Sequence, residues 1–242
     1  MMRAHASYGA FGARTRPAHT TACGRRAAPR AGIVVALALI GAANAQETAV
    51  VRVVDADGQP IAGAAVYLAP QDAPAPAASA ASAIMDQVGY QFVPRVLVVR
   101  TGTEVAFPNS DNVLHHVYSF SEVKRFELPL YAGTIHAPVR FDRAGLVTLG
   151  CNIHDDMVGY ILVVDTPWFG KTGADGSLVI EDLPAGHYDV SAWSDRQRDA
   201  NTILHASLAL VTGGQDAPLT LAVGGLRPPP PERHAGTLWK AY

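Results

Sequence analysis

Short alternating or apolar runs, each closed by Gly, Pro, Asn or Asp, succeed one another through residues 46–223, and helical periodicity is nearly absent. A period of two puts successive side chains on opposite faces of a strand, so this pattern predicts an all-β protein. The strand-like runs fall into three sets. The first holds Ala49 to Val54 and Ala64 to Leu68, joined by the turn Asp57-Gly58-Gln59-Pro60. The second holds Arg95 to Arg100, Glu104 to Phe107, His115 to Phe120, Arg125 to Leu128, Val139 to Phe141, Leu146 to Gly150 and Gly159 to Asp165. The third holds Leu178 to Glu181, Tyr188 to Ser191, Leu204 to Val211 and Leu219 to Val223. An Ala/Pro/Ser-rich stretch over 71–84 reads as a linker, and 224–242, with Pro228-Pro229-Pro230-Pro231, as a Pro-rich tail.

Residues 1–45 read as an export signal. Arg25, Arg26 and Arg30 form a basic region, Ile33 to Ile40 an apolar core too short to span a bilayer, and Ala43-Asn44-Ala45 a small-x-small cleavage site. Arg25-Arg26 leaves the twin-arginine route open beside the general one. Cleavage predicts a periplasmic chain that starts at Gln46, with no transmembrane anchor. Cys23 then leaves with the signal, and Cys151 becomes the lone thiol of an exported protein. Such a thiol has no disulfide partner within the chain, and a metal is the best reason to keep it. The signal also removes six of the 19 Lys and Arg and none of the 21 Asp and Glu, so the mature chain carries 13 basic and 21 acidic groups, a net charge of −8. That argues against nucleic acid or an anionic membrane as partner and favours a basic protein.

The chemistry concentrates in Cys151-Asn152-Ile153-His154-Asp155-Asp156-Met157. Thiolate, imidazole and thioether lie within seven residues. With a second imidazole this is the ligand set of a blue-copper centre: two His and one Cys in a plane and a weak axial Met. The strand His115–Phe120 offers that second imidazole from His115 or His116, whose side chains must face opposite sides. Soft thiolate and imidazole favour copper over hard cations, and zinc accepts the same donors. Asp155 and Asp156 add negative charge beside the site, which should favour the more oxidised metal and lower the potential, or attract a basic partner. His136, His187, His205 and His234 lack ligand spacing, and Trp168 and Trp193 read as packing residues. No Ser/His/Asp arrangement, paired-carboxylate motif or phosphate loop is present.

Two resemblances extend this reading. Gly102-Thr103-Glu104-Val105-Ala106-Phe107-Pro108-Asn109, His115-His116-Val117 and Gly145-Leu146-Val147-Thr148-Leu149-Gly150-Cys151 resemble the cupredoxins of the plastocyanin and amicyanin group, over residues 85–167. The resemblance implies one type 1 copper held by His115, Cys151, His154 and Met157, and single-electron transfer between protein partners rather than catalysis. His116 and Val117 stand where that family commonly has Asn and Val after its ligand His. This makes His115 the ligand and removes an Asn that usually ties its strand to the Cys loop. The second resemblance is to carboxypeptidase-regulatory-like, transthyretin-type sandwiches. It rests on Val53 to Ala64, and then on Asp175-Gly176-Ser177-Leu178 and Leu183-Pro184-Ala185-Gly186-His187-Tyr188 more than 100 residues later. The expected fold is therefore an all-β cupredoxin Greek-key sandwich (85–167) inserted in, or adjacent to, a transthyretin-like sandwich split between 46–70 and 171–223. Proteins of the periplasmic methylamine-utilisation type are similar along most of the mature chain. The rival readings are a copper carrier or sensor and a metal-free structural or adhesion sandwich.

Overall fold

The computed structural model describes residues 46–228; the expected export signal and most of the Pro-rich tail lie outside that range. Among the described residues every regular element is a strand, as the two-residue period requires. In chain order these are β1 (Gln46–Asp55) and β2 (Ala65–Pro70); then β3 (Ser82–Ile84), β4 (Asp86–Val88), β5 (Gln91–Val93), β6 (Val96–Arg100), β7 (Thr103–Ala106), β8 (His115–Ser119), β9 (Phe126–Tyr131), β10 (Val139–Phe141), β11 (Gly145–Cys151) and β12 (His154–Val164); then β13 (Phe169–Lys171), β14 (Ser177–Pro184), β15 (Gly186–Trp193), β16 (Leu204–Leu210) and β17 (Leu219–Val223).

The first and last groups share two facing sheets, of order β14-β1-β17 and β13-β2-β15-β16. β1 alternates between buried and exposed positions, and its inward Ala49, Val51 and Val53 meet Leu68, Val190, Leu210 and Val223 in one apolar core. Chain ends far apart in sequence are joined here by parallel pairing of β1 with β17, Val51 opposite Leu219. This outer sandwich also holds the chain just past β17. Leu226 bridges to Gln197, and Arg227 donates to the Gln197 carbonyl at 2.8 Å.

The middle group builds a second pair of sheets, β10-β7-β3 and the five-stranded β6-β12-β11-β8-β9, with the small β4-β5 hairpin beside them. Their core gathers Met85, Phe92, Val117, Phe141, Leu149, Cys151, Met157 and Ile161. The stretch read as a linker is bound at both ends. Asp72 accepts the His187 backbone N–H at 2.8 Å, and Arg100 donates to the Pro76 and Ala77 carbonyls. Its last residues enter β3, which pairs parallel with β7.

β12 ties the two sandwiches together, because it is buried on both faces from Gly159 onward. Ile161 and Val163 point into the inner core, while Tyr160, Leu162 and Val164 pack with Ala65, Val96 and Trp193 against the outer sandwich. Trp193 is fully buried, meets the Tyr160 ring edge-on at 5.2 Å, and donates its indole N–H to the Ala200 carbonyl at 2.7 Å. Arg95 closes the rim, bonded to Asp195 at 2.7 Å and to the Val158 carbonyl at 3.1 Å. Continuous apolar character over Tyr160–Val164 arises from this double burial, since a strand covered on both sides has no solvent face to keep polar.

Candidate metal centre

β12 begins at His154, five residues earlier than the run Gly159–Asp165 predicts. The sequence His154-Asp155-Asp156 has little strand propensity, but pairing with β11 overrides it. Asn152 and Ile153 form a tight turn, and Cys151 sits directly opposite His154. One step further Gly150 lies opposite Val158, so Asp155, Asp156 and Met157 are extra on the β12 side. A bulge of this kind bends the strand and re-aims its side chains. Here Met157 turns into the inner core, 1% exposed, in the cluster that holds Cys151, while Asp155 and Asp156 stay at the surface.

β8 supplies the remaining donor. Val117 pairs with Cys151 in the adjacent β11, which places His115 at the same end of the sheet. His115 is fully buried and Cys151 is 4% exposed, while His154 is half-buried at the rim. His115 Nδ1 lies 3.7 Å from Cys151 Sγ, His154 Nδ1 lies 3.5 Å from it, and the two Nδ1 atoms are 3.2 Å apart. Among the described residues this is the one group of three such donors close enough to share an ion.

The triangle fits a single metal. A cation about 2.0 Å from nitrogen and about 2.3 Å from sulfur would set N–N near ~3.5 Å and S–N near ~3.7 Å in a flat trigonal site, and about 3.3 and 3.5 Å in a tetrahedral one. The three measured separations lie within about 0.1 Å of that range. Three lone pairs aimed at one point repel unless a proton or a cation sits between them, and thiolate with two imidazoles selects copper or zinc over calcium or magnesium.

The thiol is shifted toward the thiolate that a metal requires, and His115 toward keeping its proton. Burial pushes the Cys151 thiol up, but the His115 ring, the amides of His116 and Ile153, and the His154 ring outweigh it and bring the thiol down to about 6. Burial pushes the His115 imidazolium down, and the Cys151 thiolate and the Asp111 carboxylate outweigh it, so the net direction is up. Asp111 accepts from His115 Nε2 at 2.8 Å. A carboxylate can only accept, so Nε2 carries a proton, and in the neutral imidazole this leaves the Nδ1 lone pair facing the centre.

His116 turns the other way and pairs with Glu127 on β9 at 2.7 Å. The tie that a following Asn would make is provided by backbone: Asn152 N–H donates to the His116 carbonyl at 3.0 Å. Asn109 organises the approach to His115. It is 4% exposed, and its side chain donates to the Val113 and Tyr131 carbonyls and accepts from the Asp111 amide.

Sequence reasoning missed Asp111, Tyr90 and the β4-β5 hairpin that joins them. Tyr90 sets its ring edge against both imidazoles, 4.8 Å from His154 and 5.9 Å from His115. The one available signal for Asp111 was a carboxylate four residues before His115. The hairpin strands are only three residues long, too short to show a period. His136 bonds the Pro129 carbonyl and His205 bonds Ser191, both away from the centre.

No protein-family model matches the chain, and no curated protein matches it in sequence. Among solved structures it is similar to a purple cupredoxin from Nitrosopumilus maritimus, at 23% identity over 35% of this chain and 99% of that one, with a TM-score of 0.31. It is similar to a copper-containing nitrite reductase from Thermus scotoductus SA-01 at 25% identity, over 39% of this chain and only 25% of the reductase, with a TM-score of 0.33. A point mutant of amicyanin in its oxidized state is similar at 22% identity, over 34% of this chain and 82% of amicyanin, with a TM-score of 0.32. The metal reading stands on the donor geometry itself.

Proposed function

We propose that this chain is a periplasmic type 1 copper protein that carries single electrons between protein partners. The observation that carries the reading is the convergence of one low-pKa thiolate and two imidazole Nδ1 atoms on one point. Copper bound there would supply reversible one-electron exchange between Cu(I) and Cu(II). Cys151, His115, His154 and Met157 would hold it.

The chain's own part is to keep these ligands still. His115 is pinned by Asp111, Cys151 lies between paired strands, and β12 is gripped on both faces. Ligands that need not move when the charge changes lower the barrier to electron exchange. His154 is the least buried of the three donors, so its ring edge is the natural exit toward a partner. The acidic balance of residues 46–242 favours a basic partner. The carboxypeptidase-regulatory-like identity of the outer sandwich belongs to this proposal as well, on its turn and strand motifs.

Voltammetry of the copper-loaded chain tests the proposal. A reversible one-electron wave is expected. Copper that binds but cannot be cycled would instead favour a carrier or sensor, and a chain that takes up no copper would favour a structural sandwich.

A further inference from the structure

The β4-β5 hairpin turns through Gly89 and Tyr90, and both have φ of +60°. Two successive positive φ values are the pattern of a type I′ turn, which normally takes Gly or Asn at both places. A tyrosine there is strained, and such strain persists where the surroundings use it. The turn aims its two amides at one carboxylate: Gly89 N–H donates to Asp111 Oδ1 at 2.6 Å, and Tyr90 N–H to Oδ2 at 3.0 Å. That same Oδ2 accepts His115 Nε2–H at 2.8 Å. The Tyr90 ring meets His154 at 4.8 Å with an interplanar angle of 86°. The hairpin is seated on β12 by Phe92, which lies so close over Gly159 that a Cβ there would meet the Phe92 side chain at 2.8 Å.

We propose that this turn is a clamp for both imidazoles, with Asp111 and Tyr90 as positioning residues: Asp111 locks His115 as the Nε2–H tautomer with Nδ1 facing the centre, and Tyr90 braces and covers His154. The inference rests on the metal-centre reading for its purpose, though not for its geometry. The clamp has two consequences. The site is preorganised, because amides, carboxylate and imidazole are bonded in series through protein groups alone. The carboxylate also places a full negative charge one hydrogen bond from a ligand, which makes His115 a stronger donor and favours the oxidised metal.

Nitrogen NMR of the metal-free full chain, zinc titration and chelator-driven zinc release test the clamp together. In the unaltered chain His115 should carry its proton on Nε2. Asp111→Asn keeps an acceptor oxygen and should keep that tautomer; Asp111→Ala should lose it and bind zinc at least tenfold more weakly, within the range that such supporting partners contribute. Tyr90→Gly relieves the positive φ, so the thermal midpoint of the metal-free chain should hold or rise while zinc release quickens at least tenfold. A proton on Nδ1 in the unaltered chain, zinc affinity within twofold in Asp111→Ala, or unchanged release in Tyr90→Gly would overturn the clamp. A chain that pins His115 as Nε2–H yet binds neither zinc nor copper would support the positioning role and overturn the metal reading.

Discussion

The two sandwiches differ at one set of buried polar groups. In the outer sandwich a buried polar side chain is satisfied where it sits. Thr172 is the example: its hydroxyl donates to the Ile61 carbonyl at 2.6 Å and accepts the Ala64 N–H at 3.0 Å. In the inner sandwich, His115 and Cys151 are also buried, but their Nδ1 and Sγ atoms converge with His154 Nδ1 on one point. A satisfied hydroxyl stabilises a loop and is finished; converging lone pairs are a cost to the fold unless something is bound between them. The candidate metal centre therefore sits in the inner sandwich, and β12 packs against both.

The comparison breaks first at Cys151. Cys151→Ser replaces the soft thiolate by a hydroxyl of nearly the same shape. The fold should persist while the visible thiolate-to-copper absorption disappears completely in a copper titration. Retention of that band would place the centre elsewhere.

Metal addition is the next test, because it should act on the inner sandwich alone. A metal held at about a thousand times its dissociation constant stabilises by ~4 kcal/mol, which for a chain of this size raises the midpoint by on the order of 10 °C. Scanning calorimetry with and without zinc or copper measures this, and an unshifted midpoint would mean that the triangle binds neither.

Trp193→Ala probes the opposite side. The indole is fully buried between the sandwiches, and truncation of such a residue costs about 3–5 kcal/mol. Denaturant unfolding should show that loss while the copper spectrum of the folded fraction stays close to normal. A spectrum that collapses along with stability would mean that the outer sandwich helps to set ligand geometry, not stability alone.

The thiol itself carries a pH signature. Its folded pKa is lowered from 9.0 to about 6, so its contribution to stability is complete above the unfolded value and fades as pH falls through the folded one. His115 runs the other way, with a raised folded pKa; its contribution is complete below the ordinary imidazole range and fades as pH rises through the folded value. Thiolate absorbance of the metal-free chain should titrate with a midpoint near 6, and a midpoint near 9 would remove the hydrogen-bonded thiolate from the centre. The smallest effect is expected at the surface: Asp155→Asn with Asp156→Asn should raise the reduction potential slightly, as charge next to the site is removed. An unchanged potential would assign that pair to docking or solvation.

Much of this was legible in the sequence, for physical reasons that differ between residues. Cys151, His154 and Met157 are legible as a group because a tight turn and its bulge keep them close along the chain. Strand alternation lets only one of His115 and His116 face the site, and the family resemblance, with His116-Val117 in its Asn-Val places, selects His115. The all-β class comes from the two-residue period. Asp111 and Tyr90 are not legible, because their roles depend on a hairpin of three-residue strands folding over a loop about 20 residues later. The early start of β12 was hidden for a related reason: pairing across Asn152-Ile153 overrides what His154-Asp155-Asp156 would do alone.

The central claim is that Cys151, His115 and His154 form one centre for copper. Titrating the metal-free chain with Cu(II) while recording the visible spectrum tests it most directly. An intense thiolate-to-copper band that saturates at one equivalent is the predicted result; a colourless chain with a freely titratable Cys151 would contradict it.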